Sequence, residues 1–150
     1  MLVASRHASI DAIAAAEWNA LDLGGVPFLR HEFLAALEHA NVVGAGTGWT
    51  PAHVTLHEGP TLVGALPLYA KSHSWGEFVF DFAWAEAYRR YGQAYYPKLI
   101  AATPFTPATG KRLLVRPGSD PTRIRPALLA AALEGREEAS SLHVQFSTAV

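Results

Sequence analysis

Apolar residues recur every three or four positions in three stretches of this chain, which is the spacing of one face of a helix. The pattern predicts helices over residues 9–21, 28–40 and 121–134. Ser9 is suited to cap the first helix, and Ser119 or Asp120 the last, because a short side-chain oxygen can accept from a free amide of the first turn. Pro121 is favourable at the first helical position that follows.

The middle helix has two different sides. Phe33, Leu34 and Leu37 share its apolar side, which we expect to pack on the core. The opposite side carries four polar residues that we predict to be solvated surface. They are His31, Glu32, Glu38 and His39.

Strict alternation of apolar and polar positions predicts strands elsewhere. The predicted strands cover residues 2–5, 52–57, 61–71, 94–101, 111–115 and 142–146. The second and third form a hairpin around the turn Glu58-Gly59-Pro60. Gly64 and Pro67 within the hairpin indicate a bulge or a sheet edge, since proline cannot donate to a strand ladder.

The most unusual stretch lies between the hairpin and the next strand, in residues 71–98. It holds nine of the sixteen aromatic residues, interleaved with charged ones. Phe78 and Phe82 are one turn apart, and a helix over residues 77–91 is predicted. Because its rings point to several faces, we expect this helix to be enclosed between other elements. A binding groove fits such a mixture, and so does an aromatic wedge in the core or at a domain interface.

Composition and charge narrow the class of protein. A chain of 150 residues, half of them hydrophobic and 17% charged, fits one globular domain. Its net charge of −1 argues against a general nucleic-acid or membrane-surface binder. Disulfides and thiolate chemistry are excluded, since there is no cysteine. With neither a signal-peptide pattern nor an apolar run near the ~20 residues of a membrane span, the sequence predicts a soluble protein.

Familiar metal and nucleophile motifs do not occur. His53 and His57 have the spacing of a helical metal pair, but on a strand they lie about 13 Å apart, too far to share an ion. The glycines at 44, 46 and 48 lead into a strand and not a helix, so we interpret them as a connector and not a phosphate loop. No metal site is expected.

A basic group surrounds the turn between the strand over 111–115 and the last helix. Its members are Lys111, Arg112, Arg116, Arg123 and Arg125. Arginines beside an open helix N-terminus can hold an anion such as pyrophosphate. Solvated surface charge explains the same residues without a ligand.

The order of elements and several longer segments carry a family resemblance. The segments are PFLRHEFLAALE (27–38), GWTPAHV (48–54), GALPLYAKSHSWGEFVFDFAWAEAYRRYGQAYYPKL (64–99), FTPATGKRLLV (105–115) and SSLHVQF (140–146). Together they cover nearly the whole chain, and residues 72–99 are the most specific part. The chain resembles the FemAB-like branch of the GNAT (acyl-CoA N-acyltransferase) fold, associated with peptidoglycan biosynthesis or recognition.

This resemblance implies a bacterial cytoplasmic protein related to enzymes that join an activated acyl or aminoacyl group to an amine. The implied fold is an α/β (α+β) GNAT-like domain of three layers with a mixed central sheet. Residues 1–150 would form one domain, incomplete at its C-terminus and the first of a pair. A second GNAT-like domain, or a second copy of the chain, would be its partner. Residues 71–98 would be an insertion specific to this branch.

The acetyl-CoA loop of ordinary GNAT enzymes is absent, because Arg116 is followed by Pro117 and the glycine is displaced to position 118. The donor therefore remains open between an acyl-CoA and an aminoacyl donor. Asp81 or Glu77 would act as base on the amine, and Tyr88, Tyr91 or Tyr96 would donate to a carbonyl. The full set of substrate-binding candidates is Trp75, Trp84, Tyr88, Arg89, Tyr91, Tyr96 and Lys98. The anion-binding candidates are Arg112, Arg116 and Arg123. A non-catalytic recognition module and a purely structural role stand beside acyl transfer.

Overall fold

Two four-stranded sheets organise the fold. The computed structural model describes residues 1–134 and 138–148. The first sheet contains β1 (Leu2–His7), β3 (His53–Glu58), β4 (Thr61–Leu66) and β7 (Leu114–Val115), in the order β1-β3-β4-β7. The second contains β2 (Trp49–Pro51), β5 (Tyr69–Lys71), β6 (Lys98–Ala101) and β8 (Leu142–Val144), in the order β2-β5-β6-β8. All pairings are antiparallel except that of β6 with β8.

One long hairpin runs through both sheets, which corrects the expected single mixed sheet. Its strands pair as β3 with β4 in the first sheet and as β2 with β5 in the second. Pro67 interrupts the ladder between the two pairs, and the Ala52 amide bridges the bend by donating to the Leu68 carbonyl at 2.8 Å. The predicted bulge is confirmed next to Gly64: His57 pairs with Leu62, but Leu56 pairs with Gly64.

Four α-helices and two short 3₁₀ turns occur in the described chain. The α-helices are α1 (Ala15–Asn19), α2 (His31–His39), α3 (Phe82–Arg90) and α4 (Pro121–Glu134). The 3₁₀ turns cover Ile10–Ala12 and Pro27–Leu29. Helix α4 matches its predicted bounds, and Asp120 caps it by accepting from the Thr122 amide at 2.9 Å. No helix in the described residues is both long and apolar enough to span a membrane.

Apolar layers cover both faces of the first sheet. One layer joins Trp18 of α1 and Leu34 of α2 to Leu62 of β4. The other joins Ile124 and Leu128 of α4 to strands β3 and β4. The sheet is therefore packed on both sides, which explains why His53 and Thr55 of β3 are as buried as the neighbouring Val54 and Leu56.

The predicted helix over residues 9–21 is wrong as a single helix, although Ser9 caps its first turn. His31 is buried and not solvated, and its Nε2–H donates to the carbonyls of Ile10 and Ile13 at 2.9 and 2.8 Å. Glu38 accepts from the Ile10 amide at 2.9 Å. His31 takes two carbonyls that a continuous helix would use, and the chain leaves helical geometry at Ile13.

The predicted helix over residues 77–91 is shorter than expected, and it is not enclosed. Helix α3 begins at Phe82, and none of its nine residues is buried. Residues 72–81 form a loop instead, whose acidic side chains turn towards the second sheet. The cause of this arrangement lies in two buried lysines.

Candidate functional site

Lys71 and Lys98 stand directly opposite each other on the neighbouring strands β5 and β6. The two lysines mark the ends of the insertion, which we define as residues 71–98. Both side chains are fully buried. An ammonium group removed from water is strongly disfavoured unless it is paired, so these positions require acidic partners.

Lys98 obtains its partners from the insertion itself. Its Nζ donates to Ser74 Oγ at 3.0 Å, to Glu77 Oε2 at 2.8 Å and to Asp81 Oδ2 at 2.5 Å. Three acceptors satisfy all three donors of an ammonium group. Two of them are carboxylates that are themselves buried, so the cluster is a buried, charge-assisted network.

The surrounding side chains complete this network. The Tyr95 hydroxyl donates to Asp81 Oδ2 at 2.6 Å, and Gln145 Nε2 donates to Glu77 Oε2 at 3.2 Å. Tyr96 and Ser74 share a hydrogen bond of 2.6 Å. Since Tyr95 and Tyr96 follow α3 and Gln145 follows β8, the cluster ties both ends of the insertion to the second sheet.

Lys71 lies in a different environment beside the same acids. Its Nζ is 3.9 Å from the centre of the Trp49 ring and donates to the Trp75 carbonyl at 3.1 Å. The nearest carboxylate oxygen, Glu77 Oε1, is 4.0 Å away. The pKa of Lys71 is lowered to about 8: burial lowers it most, Glu77 raises it, and the neighbouring charge of Lys98 also lowers it. This amine therefore changes its charge nearer to neutral pH than an ordinary lysine does.

The pKa of Asp81 lies below the usual value of an aspartate. Burial alone would raise this pKa, but hydrogen bonds from Lys98, Ser74 and Tyr95 outweigh burial and lower it to about 2. Burial and the nearby Asp81 carboxylate raise the pKa of Tyr95. At neutral pH Asp81 is thus an ionised carboxylate with little tendency to accept a proton.

Three oxygen atoms around the cluster are buried and accept no hydrogen bond from the described residues. They are Glu77 Oε1, Asp81 Oδ1 and Gln145 Oε1. Buried acceptors are normally satisfied, so each retains a capacity to bind a donor. Glu77 is the carboxylate with a free oxygen near the amine of lowered pKa, Lys71.

The insertion is built with its polar residues inside and its rings outside. Between the two lysines, its buried residues are Ser74, Glu77, Asp81 and Tyr95. The exposed large rings are Trp75, Phe78, Phe80, Phe82, Trp84 and Tyr91. This arrangement reverses that of a core wedge, in which the rings would be buried and the charges would reach water.

A groove runs between α3 and the segment that follows it. It has a volume of about 430 Å³, and its lining is Phe82, Ala85, Glu86, Arg89, Gln93, Ala94, Tyr95 and Tyr96. Rings form its walls, while a carboxylate, a guanidinium and an amide supply polar contacts. A concavity therefore lies beside α3, and only some of the residues predicted to bind a substrate line it.

The predicted substrate-binding residues fall into separate places. Arg89 and Tyr96 line the groove, and Tyr88 packs on Tyr95 with ring centres 5.1 Å apart. Lys98 lies beneath, in the buried cluster with the two acids predicted as bases. Trp75, Trp84 and Tyr91 project outwards, and only Trp75 packs on another ring of the insertion, that of Phe82 at 5.5 Å.

The predicted anion-binding arginines each contact different acceptors. Arg112 is buried and donates to the carbonyls of Gln145, Lys111 and Ala108. Arg116 contacts Glu17 at 2.6 Å, and Arg123 contacts Glu58 at 2.9 Å. The three guanidinium groups therefore serve separate parts of the fold in this structure.

A second concavity lies beside this basic group, between β7, β8 and α4. Gly110 and Ser147 form a parallel bridge, whereas β7 then turns to pair with β4. The resulting cleft has a volume of about 250 Å³ and is lined by Lys111, Arg112, Leu113, Arg125, Leu129, Val144, Ser147 and Thr148. We call it the β7–β8 cleft. Its walls are apolar, and its basic residues lie among them.

Several of these residues escape sequence reasoning. Lys71, Ser74, Tyr95 and Gln145 are polar residues without a recognisable motif, and their proximity follows from the pairing of β5 with β6 and β8. The available signal is the placement of lysines at both ends of a stretch that contains two acids. In the described chain, no group of three or more His, Asp or Glu side chains is arranged to hold a metal ion.

Comparison with known proteins identifies one family. A family model named FemAB-like, described as peptidoglycan biosynthesis/recognition, matches residues 9–150. No curated protein and no solved structure gives a significant match.

Proposed function

The chain belongs to the FemAB-like family of peptidoglycan biosynthesis and recognition, and we propose that its domain takes part in transfer of an activated acyl or aminoacyl group to an amine. The resemblance to N-acyltransferases suggests this reaction. In it, the amine nitrogen forms a bond to the acyl carbon, the bond from that carbon to its carrier breaks, and a base takes the proton of the amine.

The β7–β8 cleft is the observation that carries this proposal. Leu113, Leu129 and Val144 give it apolar walls that fit an acyl chain or the arm of its carrier. Arg125, which has no ion-pair partner among the described residues, suits a phosphate on that carrier. Lys111 also lines the cleft, while it pairs with Asp22. The donor would thus lie where β7 and β8 separate.

The buried cluster supplies the proposed proton acceptor. Of the two candidate bases, Asp81 has its pKa lowered to about 2 and is too weak a base at neutral pH. We therefore assign the role to Glu77, whose Oε1 accepts no hydrogen bond within the described residues and lies 4.0 Å from Lys71. Gln145 connects the two sites. Its side-chain amide donates to Glu77, and its backbone carbonyl accepts from Arg112 at the cleft.

Filling the cleft tests the proposal. Leu129→Trp places a bulky ring in the cleft, whereas Leu133→Trp adds the same ring one turn further along α4, at a side chain that is 43% exposed. Transfer of a labelled acyl group from acyl thioesters and aminoacyl esters to a peptidoglycan peptide with a free amine is measured. We expect kcat/KM to fall at least tenfold for Leu129→Trp and less than twofold for Leu133→Trp. Equal behaviour of the two variants, or no turnover by the unmodified protein, contradicts the proposal.

Recognition without catalysis is the second candidate function, and the α3 groove favours it. Aromatic walls beside Glu86, Arg89 and Gln93 can hold a cell-wall precursor by stacking and hydrogen bonding. In this case the protein binds a peptidoglycan fragment, Arg89→Ala weakens that binding, and no donor is turned over. Turnover that survives Arg89→Ala and fails in Glu77→Gln argues for the enzyme instead.

The resemblance also supports proposals about the whole protein. We propose that the two sheets are a variant of the GNAT-like fold, and that residues 1–150 form the first of two such domains in a cytoplasmic protein. The second domain would cover the edge of β8, where Val144 is 39% exposed. Limited proteolysis of the full-length protein that releases no fragment ending near this edge argues against that division.

A further inference from the structure

The exposed rings of the insertion lie on the side away from the buried cluster, so the cluster does not explain them. We propose that the insertion docks, through the rings of residues 75–84, onto the interfacial layer of an anionic phospholipid bilayer. This docking is independent of acyl transfer, because it uses the opposite side of the insertion from Lys71 and Lys98.

The chemistry of the exposed side chains points to a lipid interface. Five rings between residues 75 and 84 are at least 44% exposed, and the most exposed is Phe80 at 85%. Residues 72–94 contain no leucine, although leucine is frequent in the rest of the chain, and Val79 is their one branched aliphatic residue. Tryptophan, tyrosine and phenylalanine favour the boundary between headgroups and acyl chains, whereas domain cores also use aliphatic residues such as leucine.

The charges of the insertion also favour an anionic surface, because its acids are buried or paired while its arginines lie on the outside. Two of its three acids, Glu77 and Asp81, are buried against the lysines. The third, Glu86, is held by Arg89 at 2.7 Å and by Arg90 at 3.1 Å. The outer surface of the insertion therefore carries two guanidinium groups and one carboxylate, which is complementary to phosphate. The net charge of −1 belongs to the whole chain and does not describe this surface.

The distance along α3 between its rings and its arginines fits a bilayer surface, where rings lie below the phosphates and guanidinium groups lie level with them. Arg89 and Arg90 follow Trp84 by five and six residues, which is about 7.5 to 9 Å along a helix axis. Interfacial side chains reach about 5–10 Å below the headgroups. With the rings at that depth, both guanidinium groups can remain level with the phosphates. Since α3 buries none of its residues, docking displaces no core contact.

Phe78 supplies independent support. Its φ angle is +58°, in the left-handed region that a bulky residue adopts only at a cost. Despite this cost its ring is 53% exposed, so the strain does not serve burial in the core. A backbone held in this conformation presents the ring of Phe78 to the outside.

Vesicle binding of the full chain tests the proposal. The protein is sedimented with vesicles of equal parts phosphatidylcholine and phosphatidylglycerol, and tryptophan emission is recorded. Trp18 and Trp49 are fully buried, so a blue shift on binding reports on Trp75 and Trp84. We expect binding with a blue shift, at least a tenfold loss of the partition coefficient in the double variant Phe80→Ser/Trp84→Ser, and a weaker loss in Arg89→Gln/Arg90→Gln.

Val42→Ser is the matched control, because Val42 is 41% exposed and lies outside the insertion. This variant should bind vesicles as the unmodified protein does, and circular dichroism should be unchanged in all variants. Absence of binding at millimolar lipid overturns the proposal, as does an equal loss of binding in the control. A dimer seen by light scattering that Phe80→Ser/Trp84→Ser dissociates, without vesicle binding, assigns the rings to a second copy of the chain instead.

Discussion

At the scale of single residues, burial separates two kinds of ion pair in this protein. Arg89 and Glu86 have a short contact, but their side chains are 75% and 42% exposed, and such pairs contribute little to stability. Lys98 and its acids are buried, where an attraction is strong and an unpaired charge is costly. We therefore expect the buried lysines to determine how the insertion folds, and the exposed pair to contribute little to its stability.

Replacing Lys98 tests this difference. Lys98→Met leaves Glu77 and Asp81 buried without their cation, and we expect the free energy of unfolding to fall by about 3–5 kcal/mol. Arg89→Met removes the exposed pair with Glu86 and should change it by less than about 1 kcal/mol. Urea denaturation followed by circular dichroism measures both. Similar losses in the two variants would show that the buried cluster has no special weight.

At the scale of elements, the sequence predicted those whose partners are local or apolar. Helix α4 and the hairpin of β3 and β4 follow from periodicity, a cap and a turn, and they are found at the predicted places. The prediction of a single first helix was wrong because His31, far along the chain, bonds to two of the carbonyls that this helix would use. The predicted range of helix α3 was too long because periodicity cannot reveal that Glu77 and Asp81 pair with a buried lysine and lie outside the helix.

The contact between α4 and β4 provides a test at this scale. A Cβ atom at Gly64 would lie 2.5 Å from Cγ2 of Ile124, so Gly64→Ala should cost roughly 1–3 kcal/mol through overpacking. The same substitution in an Ile124→Ala background should cost clearly less, because the opposing methyl group is gone. A urea double-mutant cycle measures the difference. Equal costs in both backgrounds would mean that the helix does not press on this strand.

At the scale of the whole molecule, the long hairpin joins the two sheets, and the protein has two separate candidate surfaces, the β7–β8 cleft and the insertion. The β7–β8 cleft lies between strands of both sheets, and the insertion covers β5 and β6 of the second. The sequence located the aromatic stretch and the basic group, since both are contiguous in the chain. It could not reveal which side of the stretch faces water, nor that Gln145 links it to Arg112, because these depend on strand pairing.

Titration of Lys71 affects the stability of the entire fold. Burial lowers its pKa to about 8, whereas in the unfolded chain it returns to about 10.4. Between about pH 8 and pH 10 the unfolded state thus binds a proton that the folded state has released, and stability rises with pH. The raised pKa of Tyr69 and Tyr95 keeps these phenols neutral in that window. We expect a rise of about 2 kcal/mol that is absent in Lys71→Met.

Urea denaturation at several pH values measures both profiles. Since the comparison is made within each variant, a general loss of stability in Lys71→Met does not affect it. Parallel profiles for the two proteins would mean that Lys71 keeps an ordinary pKa in the fold.

The inside-out construction of the insertion has a consequence for protein engineering. Its attachment depends on Lys71, Lys98, Ser74, Glu77 and Asp81, while residues 82–90 contribute no buried side chain. A designer can therefore exchange the outer helix for another sequence and leave the anchor unchanged. The domain is in this sense a scaffold with a replaceable display segment, whose specificity can be altered without repacking either sheet.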